Sequence, residues 1–146
     1  MLEKLSEKNK AIIRRYYEEL WNPWNLEAAS ALISPEMEFR GSLGITVQGI
    51  DGFLGYVSTV RSAFPDFHNQ VEDLVAEGDK VAARLTYSGT HQGEMFGLKP
   101  TGKAITYSGI AVFRISGDKI VAGWVMGDRW GLFQQLSGTV APESSP

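Results

Sequence analysis

Residues 103–136 read KAITYSGIAVFRISGDKIVAGWVMGDRWGLFQQL, and this stretch decides the fold. Residues 105–115 alternate between two faces that both carry apolar side chains, which is typical of a strand with neither face fully solvated. Ser116-Gly117-Asp118 supplies the residues of a tight turn, because glycine and aspartate tolerate left-handed backbone. The stretch therefore predicts two long strands joined by a turn, followed by a short terminal helix over residues 129–136.

The rest of the chain divides into helical and extended segments. Three segments have helical periodicity: about Ser6 to Trp21, Asn25 to Ile33 and Asp51 to Ala63. Three further segments have the character of strands: residues 37–41, 69–76 and 80–92. This order predicts an α+β fold, a cone-shaped barrel in which three N-terminal helices pack on a strongly curved antiparallel sheet. We expect one domain over residues 1–146, with loose tails at 1–5 and 138–146, and a small-molecule cavity inside the cone.

Composition excludes several classes of protein. A net charge of -3 gives no basic surface for nucleic acid, and the absence of cysteine excludes disulfides and thiolate chemistry. The two histidines, His68 and His91, lie far apart without acidic partners at ligand spacing, so we expect no metal site and no cofactor. No apolar run reaches the roughly 20 residues of a membrane span, and the polar N-terminus does not resemble a signal peptide. A cytoplasmic protein is the expectation.

Three segments carry a resemblance to a known family: AFPDF at 63–67, GTHQGEMFGLKPTGK at 89–103 and GLFQQL at 131–136. Over residues 9–137 the chain resembles the SnoaL-like polyketide cyclases, also called ester cyclases. They belong to the nuclear transport factor 2-like (cystatin-like) superfamily, which includes ketosteroid isomerase. The resemblance implies a conical barrel with a pocket for a small molecule and a homodimer formed through the sheet.

The resemblance also locates the catalytic positions of the family, and this chain departs from them. The family's catalytic aspartate follows the tryptophan of the last strand, where this chain has Val125, and the assisting histidine or acid corresponds to Ala111. Neither side chain can exchange a proton. Arg40 falls close to the base of the isomerase, and it could anchor a carboxylate or stabilise an enolate. Tyr17 corresponds to the tyrosine that donates to the oxyanion in the isomerase.

Each candidate catalytic residue has a structural alternative. Asp128 is the nearest carboxylate to the lost position, so it is either a relocated general base or the cap of the terminal helix. Arg40 binds substrate or pairs with Glu38 or Asp128, because an unpartnered arginine facing an apolar cavity would be costly. Tyr17 is either a hydrogen-bond donor to ligand or a core residue.

The remaining ligand-binding candidates lie on elements expected to wrap the cavity or, like Met95, on a loop that could close over it. They are Trp21, Phe39, Phe53, Tyr56, His91, Met95, Tyr107, Ala111, Trp124 and Val125. This set suits a small hydrophobic or aromatic molecule that carries a carbonyl group. Three functions stay open: aldol-type cyclisation or isomerisation by proton abstraction beside the carbonyl, non-catalytic binding, and hydrolysis or dehydration. The helices can cover only one face of the sheet, so Ile110, Val112 and Trp124 predict a dimer interface on the other.

Overall fold

The computed structural model describes residues 2–138, which form helices packed on one face of a sheet. The helices are α1 (Leu2–Arg15, continued by a π-helical turn at Tyr16–Trp21), α2 (Ala29–Leu32, after a 3₁₀ turn at Leu26–Ala28), α3 (Gly49–Ala63) and α4 (Arg129–Ser137). The strands are β1 (Ile33–Arg40), β2 (Thr46–Gln48), β3 (His68–Glu77), β4 (Lys80–Thr90), β5 (Ala104–Ser116) and β6 (Lys119–Gly127). The predicted α+β class is confirmed. In the described part of the chain, none of the helices is long and apolar enough to cross a membrane.

The sheet is curved and remains open at two edges. Its strand order is β2-β1-β6-β5-β4-β3, so β2 and β3 form the edges. Neighbouring strands are antiparallel except for β1 and β6, which run parallel. The prediction of an antiparallel sheet misses this pair, because two strands distant in the chain are not bound by the geometry of a hairpin.

The alternation predicted for β5 is present. The buried residues alternate with exposed ones, and they are Ile105, Tyr107, Gly109, Ala111, Phe113 and Ile115. The buried face packs against α1 and α3, and the buried stripe of α3 comprises Phe53, Tyr56, Val57, Val60 and Ala63. The core therefore lies between the helices and the concave face of the sheet.

Several boundaries differ from the sequence prediction. The chain is helical from Leu2, where a loose tail was expected over residues 1–5. The second helix ends at Leu32, and Ile33 to Glu36 already belong to β1, because the residue before Pro35 is driven into extended geometry. The loop after β1 contains the short strand β2. Most of the tail expected at 138–146 lies outside the described residues.

Candidate functional site

The end of α1 supplies one wall of an internal cavity. At the π-helical turn, Tyr16, Tyr17, Leu20 and Trp21 are buried, and π-helical turns occur frequently at functional sites. Tyr16 contacts both Phe53 of α3, at 5.9 Å between ring centroids, and Phe113 of β5, at 5.2 Å. The turn is therefore held between α3 and the sheet, with its aromatic rings facing the concave side.

The cavity is small and mostly aromatic. It is lined by seven aromatic and four other side chains: Tyr16, Tyr17, Trp21, Phe39, Tyr56, Phe67, Tyr87, Ser42, Val60, Asn69 and Val125. Its volume is about 20 Å³, which is room for about one water molecule. A larger ligand can enter only if some of these rings move.

Two glycines make room for the lining tyrosines. A Cβ atom at Gly41 would lie 2.0 Å from Cζ of Tyr56, and one at Gly109 would lie 2.5 Å from the ring of Tyr87. Both distances are far below van der Waals contact. The glycines therefore fix where the two rings lie, and Tyr87 also stacks on Phe67 at 5.6 Å between centroids.

The tyrosine hydroxyls of the site differ in their partners. The hydroxyl of Tyr107 lies 2.9 Å from Oγ of Ser42, and the hydroxyl of Tyr56 accepts the backbone N–H of Leu43 at 3.2 Å. Among the hydrogen bonds within residues 2–138, none involves the hydroxyl of Tyr17 or Tyr87. These two hydroxyls are free to donate to a ligand acceptor.

Burial keeps these tyrosines protonated. Desolvation raises the pKa of Tyr16, Tyr17 and Tyr87 well above the usual value of a phenol. Burial also raises the pKa of Tyr107, against the opposing hydrogen bond from Ser42. A phenol with a raised pKa stays neutral at physiological pH, so these groups can donate hydrogen bonds but cannot act as bases.

Carboxylates are absent from the lining of this cavity, and every Asp and Glu whose side chain the structure describes is exposed. Asp128 lies at the N-cap of α4, where its carboxylate accepts the backbone N–H of Gly131 at 2.9 Å. Of the two roles that the sequence left open for Asp128, the structure therefore shows the helix cap. The carboxylate does not reach the lining of the cavity.

Arg40 lies on the outer face of the sheet, where the sequence prediction did not place it. Phe39 points into the cavity, so the side chain of the next residue in the strand points outward. The guanidinium lies 5.4 Å from the ring centroid of Trp124 and donates to the carbonyl of Val125. The expected ion pair with Glu38 or Asp128 is not among the ion pairs of the described residues. The backbone carbonyl and the aromatic ring satisfy the charge instead.

The structure brings four of the ten predicted ligand-binding residues together. Four of them line the cavity together with Tyr17: Trp21, Phe39, Tyr56 and Val125. Phe53, Tyr107 and Ala111 are buried behind this lining. Trp124 is 46% exposed and points to the opposite face of the sheet, because it neighbours the inward-facing Val125.

The positions that the family resemblance assigned to catalysis are direct neighbours. Ala111 and Val125 are partners across β5 and β6, and both are buried. Two proton-transferring groups here would therefore meet on the concave side of the sheet. In this chain the same place is apolar.

His91 and Met95 belong to the loop after β4 and do not line the cavity. The imidazole of His91 is fully buried, packs 5.8 Å from the ring of Phe64, and accepts the backbone N–H of Thr101 at Nδ1, at 3.1 Å. Its Nε2 has no partner within the described chain. Met95 packs into the core. Both residues therefore hold the loop against the core. Among residues 2–138, no group of three or more His, Asp or Glu side chains could hold a metal ion.

Sequence analysis missed six lining residues: Tyr16, Ser42, Val60, Phe67, Asn69 and Tyr87. Tyr87 could have been found, because it is the cross-strand partner of Tyr107 in a predicted pair of strands. Asn69 and Ser42 lie at the boundary of a strand and a loop, where neither the periodicity nor the polarity of the sequence indicates which way a side chain points. No sequence signal marks them.

Comparison with known proteins shows the family to which the chain belongs. Residues 11–136 match the family model of the SnoaL-like polyketide cyclases. The aklanonic acid methyl ester cyclase AcmA of Streptomyces galilaeus is 31% identical over 136 residues, which cover 92% of this chain and 93% of that protein.

Solved structures show the same fold. A protein of Acidithiobacillus ferrooxidans assigned as a polyketide cyclase superposes with a TM-score of 0.79 and 31% identity, covering 91% of this chain and 96% of that one. A protein of Jannaschia sp. CCS1 assigned as a SnoaL-like polyketide cyclase gives a TM-score of 0.83 at 18% identity, covering 94% and 95% of the two chains. At that identity the second match supports the fold alone. The family match, the curated relative and the common architecture together show that this chain belongs to the SnoaL-like polyketide cyclase family.

Proposed function

We propose that this protein binds a small, mostly apolar, carbonyl-bearing molecule in the aromatic cavity and promotes its intramolecular aldol-type cyclisation. The family supports a cyclase-type function on a small molecule. The observation that carries the proposal is the pair of unpartnered hydroxyls, on Tyr17 and Tyr87, in a cavity whose lining is mostly aromatic. Aromatic walls suit a flat ligand, and neutral phenols suit its carbonyl oxygens.

The chemistry follows from the groups that are present. In the aldol step a carbon next to one carbonyl group loses a proton and forms a bond to the carbon of a second carbonyl group. The oxygen of that second group gains a proton and becomes a hydroxyl, so substrate and product are isomers. Tyr17 stabilises the oxygen on which negative charge develops. Since the cavity lining lacks a carboxylate, the departing proton passes to water, and catalysis relies on orientation and on hydrogen bonding.

The test uses aklanonic acid methyl ester, the compound that names the relative AcmA. Tyr17→Phe removes a hydroxyl without a protein partner, and it should lower kcat by about 100-fold while leaving the ligand Kd within roughly threefold. Tyr107→Phe is the matched control, because its hydroxyl is already engaged by Ser42. Formation of the cyclised isomer is followed by chromatography. Equal kcat values for the wild type and Tyr17→Phe would contradict the assignment.

Non-catalytic binding is the second candidate, and a specific observation favours it. The positions of the inherited acid and histidine are Val125 and Ala111, and both are buried in an apolar environment. A binder would take up the ester, quench the fluorescence of Trp21 in the cavity wall, and release the compound unchanged. Binding without turnover by the wild type would establish this second function and reject the first.

The outer face of the sheet is the proposed interface of a homodimer. Trp124 and Met126 on β6 are nearly half exposed, together with Ile110 and Val112 on β5. This apolar centre is flanked by cations of β4 and β5 and by carboxylates of the edge strand β3: Arg84, Arg114, Asp73 and Glu77. A twofold axis through the centre would pair the basic rows of one copy with the acidic edge of the other.

The oligomeric state tests this interface. Light scattering should give twice the chain mass of 16.1 kDa at micromolar concentration. Trp124→Glu should produce monomers, whereas Trp130→Glu changes a more exposed tryptophan that lies on α4 and should leave the dimer intact. A monomeric wild type, or equal behaviour of both variants, would contradict the interface.

A further inference from the structure

A surface groove runs between α1 and the edge strand β3, on the other side of the cavity wall. Its volume is about 430 Å³. The helix contributes Arg14, Tyr17, Glu18 and Asn22, and the strand contributes residues 68–74. Tyr17 and Asn69 line both the groove and the internal cavity. Two side chains therefore separate a cavity that is too small for a ligand from a groove that is large enough for part of one.

Asn22 and Asn69 form a clasp across this wall. The side-chain oxygen of Asn22 accepts the backbone N–H of Asn69 at 2.8 Å and its side-chain N–H at 3.2 Å, and the Asn22 amide donates to the backbone oxygen of Asn69 at 3.0 Å. The Asn22 side chain thus occupies the position that a neighbouring strand would take along the open edge of β3. Because these bonds join only side chain to edge strand, they can break without disturbing the sheet.

Tyr17 is the second observation that points to a ligand here. It is only 3% exposed, and its hydroxyl makes no hydrogen bond within residues 2–138. The hydroxyl is not among the fully buried unpaired side-chain atoms of the described residues, and it belongs to the lining of the water-sized cavity. A ligand that spans the wall would bring an acceptor to this hydroxyl.

The charges of the groove select the polar end of such a ligand. Glu18 and Arg14 on the helix place one carboxylate and one permanent cation at the groove. The carboxylate of Glu72 instead accepts the hydroxyl of Thr86 at 2.7 Å, and Asp73 is the partner of Arg84, both on the outer face of the sheet. Neither Glu18 nor Arg14 takes part in the ion pairs of the described chain. Glu18 disfavours a ligand carboxylate in the groove, which therefore accommodates a neutral polar or cationic substituent.

We infer that this groove is the second half of the ligand site. It holds a neutral or cationic hydrophilic end of the ligand, and the apolar end enters the aromatic cavity when the Asn22–Asn69 clasp opens. This inference rests on the proposed function for the identity of the ligand. The opening of the clasp can be tested without any substrate.

The first experiment measures access to Trp21, which is buried in the cavity wall. The other three tryptophans are replaced by phenylalanine, and quenching of Trp21 by acrylamide is compared in Asn22→Ala and Asn9→Ala. Asn9 is the matched control, since its amide donates to the oxygen of Gly78 at 3.1 Å across the same helix–strand contact but away from the groove. Asn22→Ala should raise the quenching constant at least threefold, and Asn9→Ala should not. Equal quenching constants in the two variants would refute the proposal that the Asn22–Asn69 clasp opens.

The second experiment compares binding of aklanonic acid methyl ester with that of its free acid. The wild type should bind the ester roughly fivefold more tightly. Glu18→Gln should remove most of this preference. Glu27→Gln, an exposed carboxylate outside the groove, should not.

The two experiments distinguish the failure of each proposal. Equal affinities for ester and acid in all variants would overturn the groove as the polar half of the site while leaving ligand binding intact. If neither compound binds, the proposed function and the ligand assignment of the groove both fail. A difference in quenching between Asn22→Ala and Asn9→Ala would then still establish the opening.

Discussion

Variants of Asp128 distinguish a structural role from a catalytic role for this carboxylate, which is the nearest one to the position of the family's catalytic acid. Its side chain accepts the N–H of Gly131 at 2.9 Å at the start of α4. Asp128→Ala removes this bond and should lower the free energy of unfolding by about 1 kcal/mol. For a chain of this length that corresponds to a fall in Tm of about 3 °C. Asp128→Asn preserves a capping oxygen, so it should cost less than about 0.5 kcal/mol through the lost charge at the helix N-terminus.

Denaturant unfolding and ester turnover, measured on the same variants, make the test decisive. Asp79→Ala is the control, because Asp79 is also exposed and its side chain makes no hydrogen bond or ion pair in the described chain. Turnover per folded molecule should be the same for the wild type and all three variants. Loss of turnover in Asp128→Asn at unchanged stability would make Asp128 the general base, and an Asp128→Ala variant as stable as Asp79→Ala would refute the cap.

Three further predictions concern the packing at Gly93, the pH dependence at Asp66, and Val125, which corresponds to the family's catalytic acid. Gly93→Ala would place a Cβ atom 1.9 Å from the backbone oxygen of Ser62, so it should destabilise the fold by about 3 kcal/mol in denaturant unfolding. Burial alone would raise the pKa of Asp66, but hydrogen bonds from Thr90 outweigh it and hold the pKa below its ordinary value. The stability that Asp66 contributes is therefore lost as the pH falls through that lowered pKa, and the stability difference from Asp66→Asn should shrink below about pH 4. Val125→Asp should place a carboxylate with a raised pKa beside the cavity and increase ester turnover, and a tighter-binding but inactive variant would contradict the alignment of this position with the family's acid.

The fold class could be predicted from the sequence because the hydrophobic patterns that indicate it extend over many residues. The alternation over residues 105–115 and the helical stripe of α3 each repeat over several turns or pleats, and the structure confirms them. The open sheet edge and the parallel pairing of β1 with β6 were not predictable. They arise from contacts between distant segments, which periodicity does not report.

The candidate site depended on single residues, and there the sequence was less informative. The family resemblance puts Arg40 close to the position of the isomerase base, and because successive strand residues face opposite sides, a shift of one position reverses the face. Trp124 shows the same limit, because both faces of β6 carry apolar residues. Tyr16 was missed because α1 is covered by both α3 and the sheet, so its buried stripe is wider than an amphipathic pattern indicates.

Under the proposed function, the cavity would work without the acid and the histidine that the family resemblance implies. Replacement of both positions by apolar side chains leaves the concave face without a proton acceptor, as Ala111 and Val125 show. The hydroxyl of Tyr17 remains, and it is kept neutral by burial and has no competing partner within the described residues. Hydrogen bonding from such a donor strengthens as negative charge grows on a carbonyl oxygen, so it stabilises the transition state more than the ground state. A substrate whose reacting carbon is already acidic needs little more than this donor and the orienting aromatic walls.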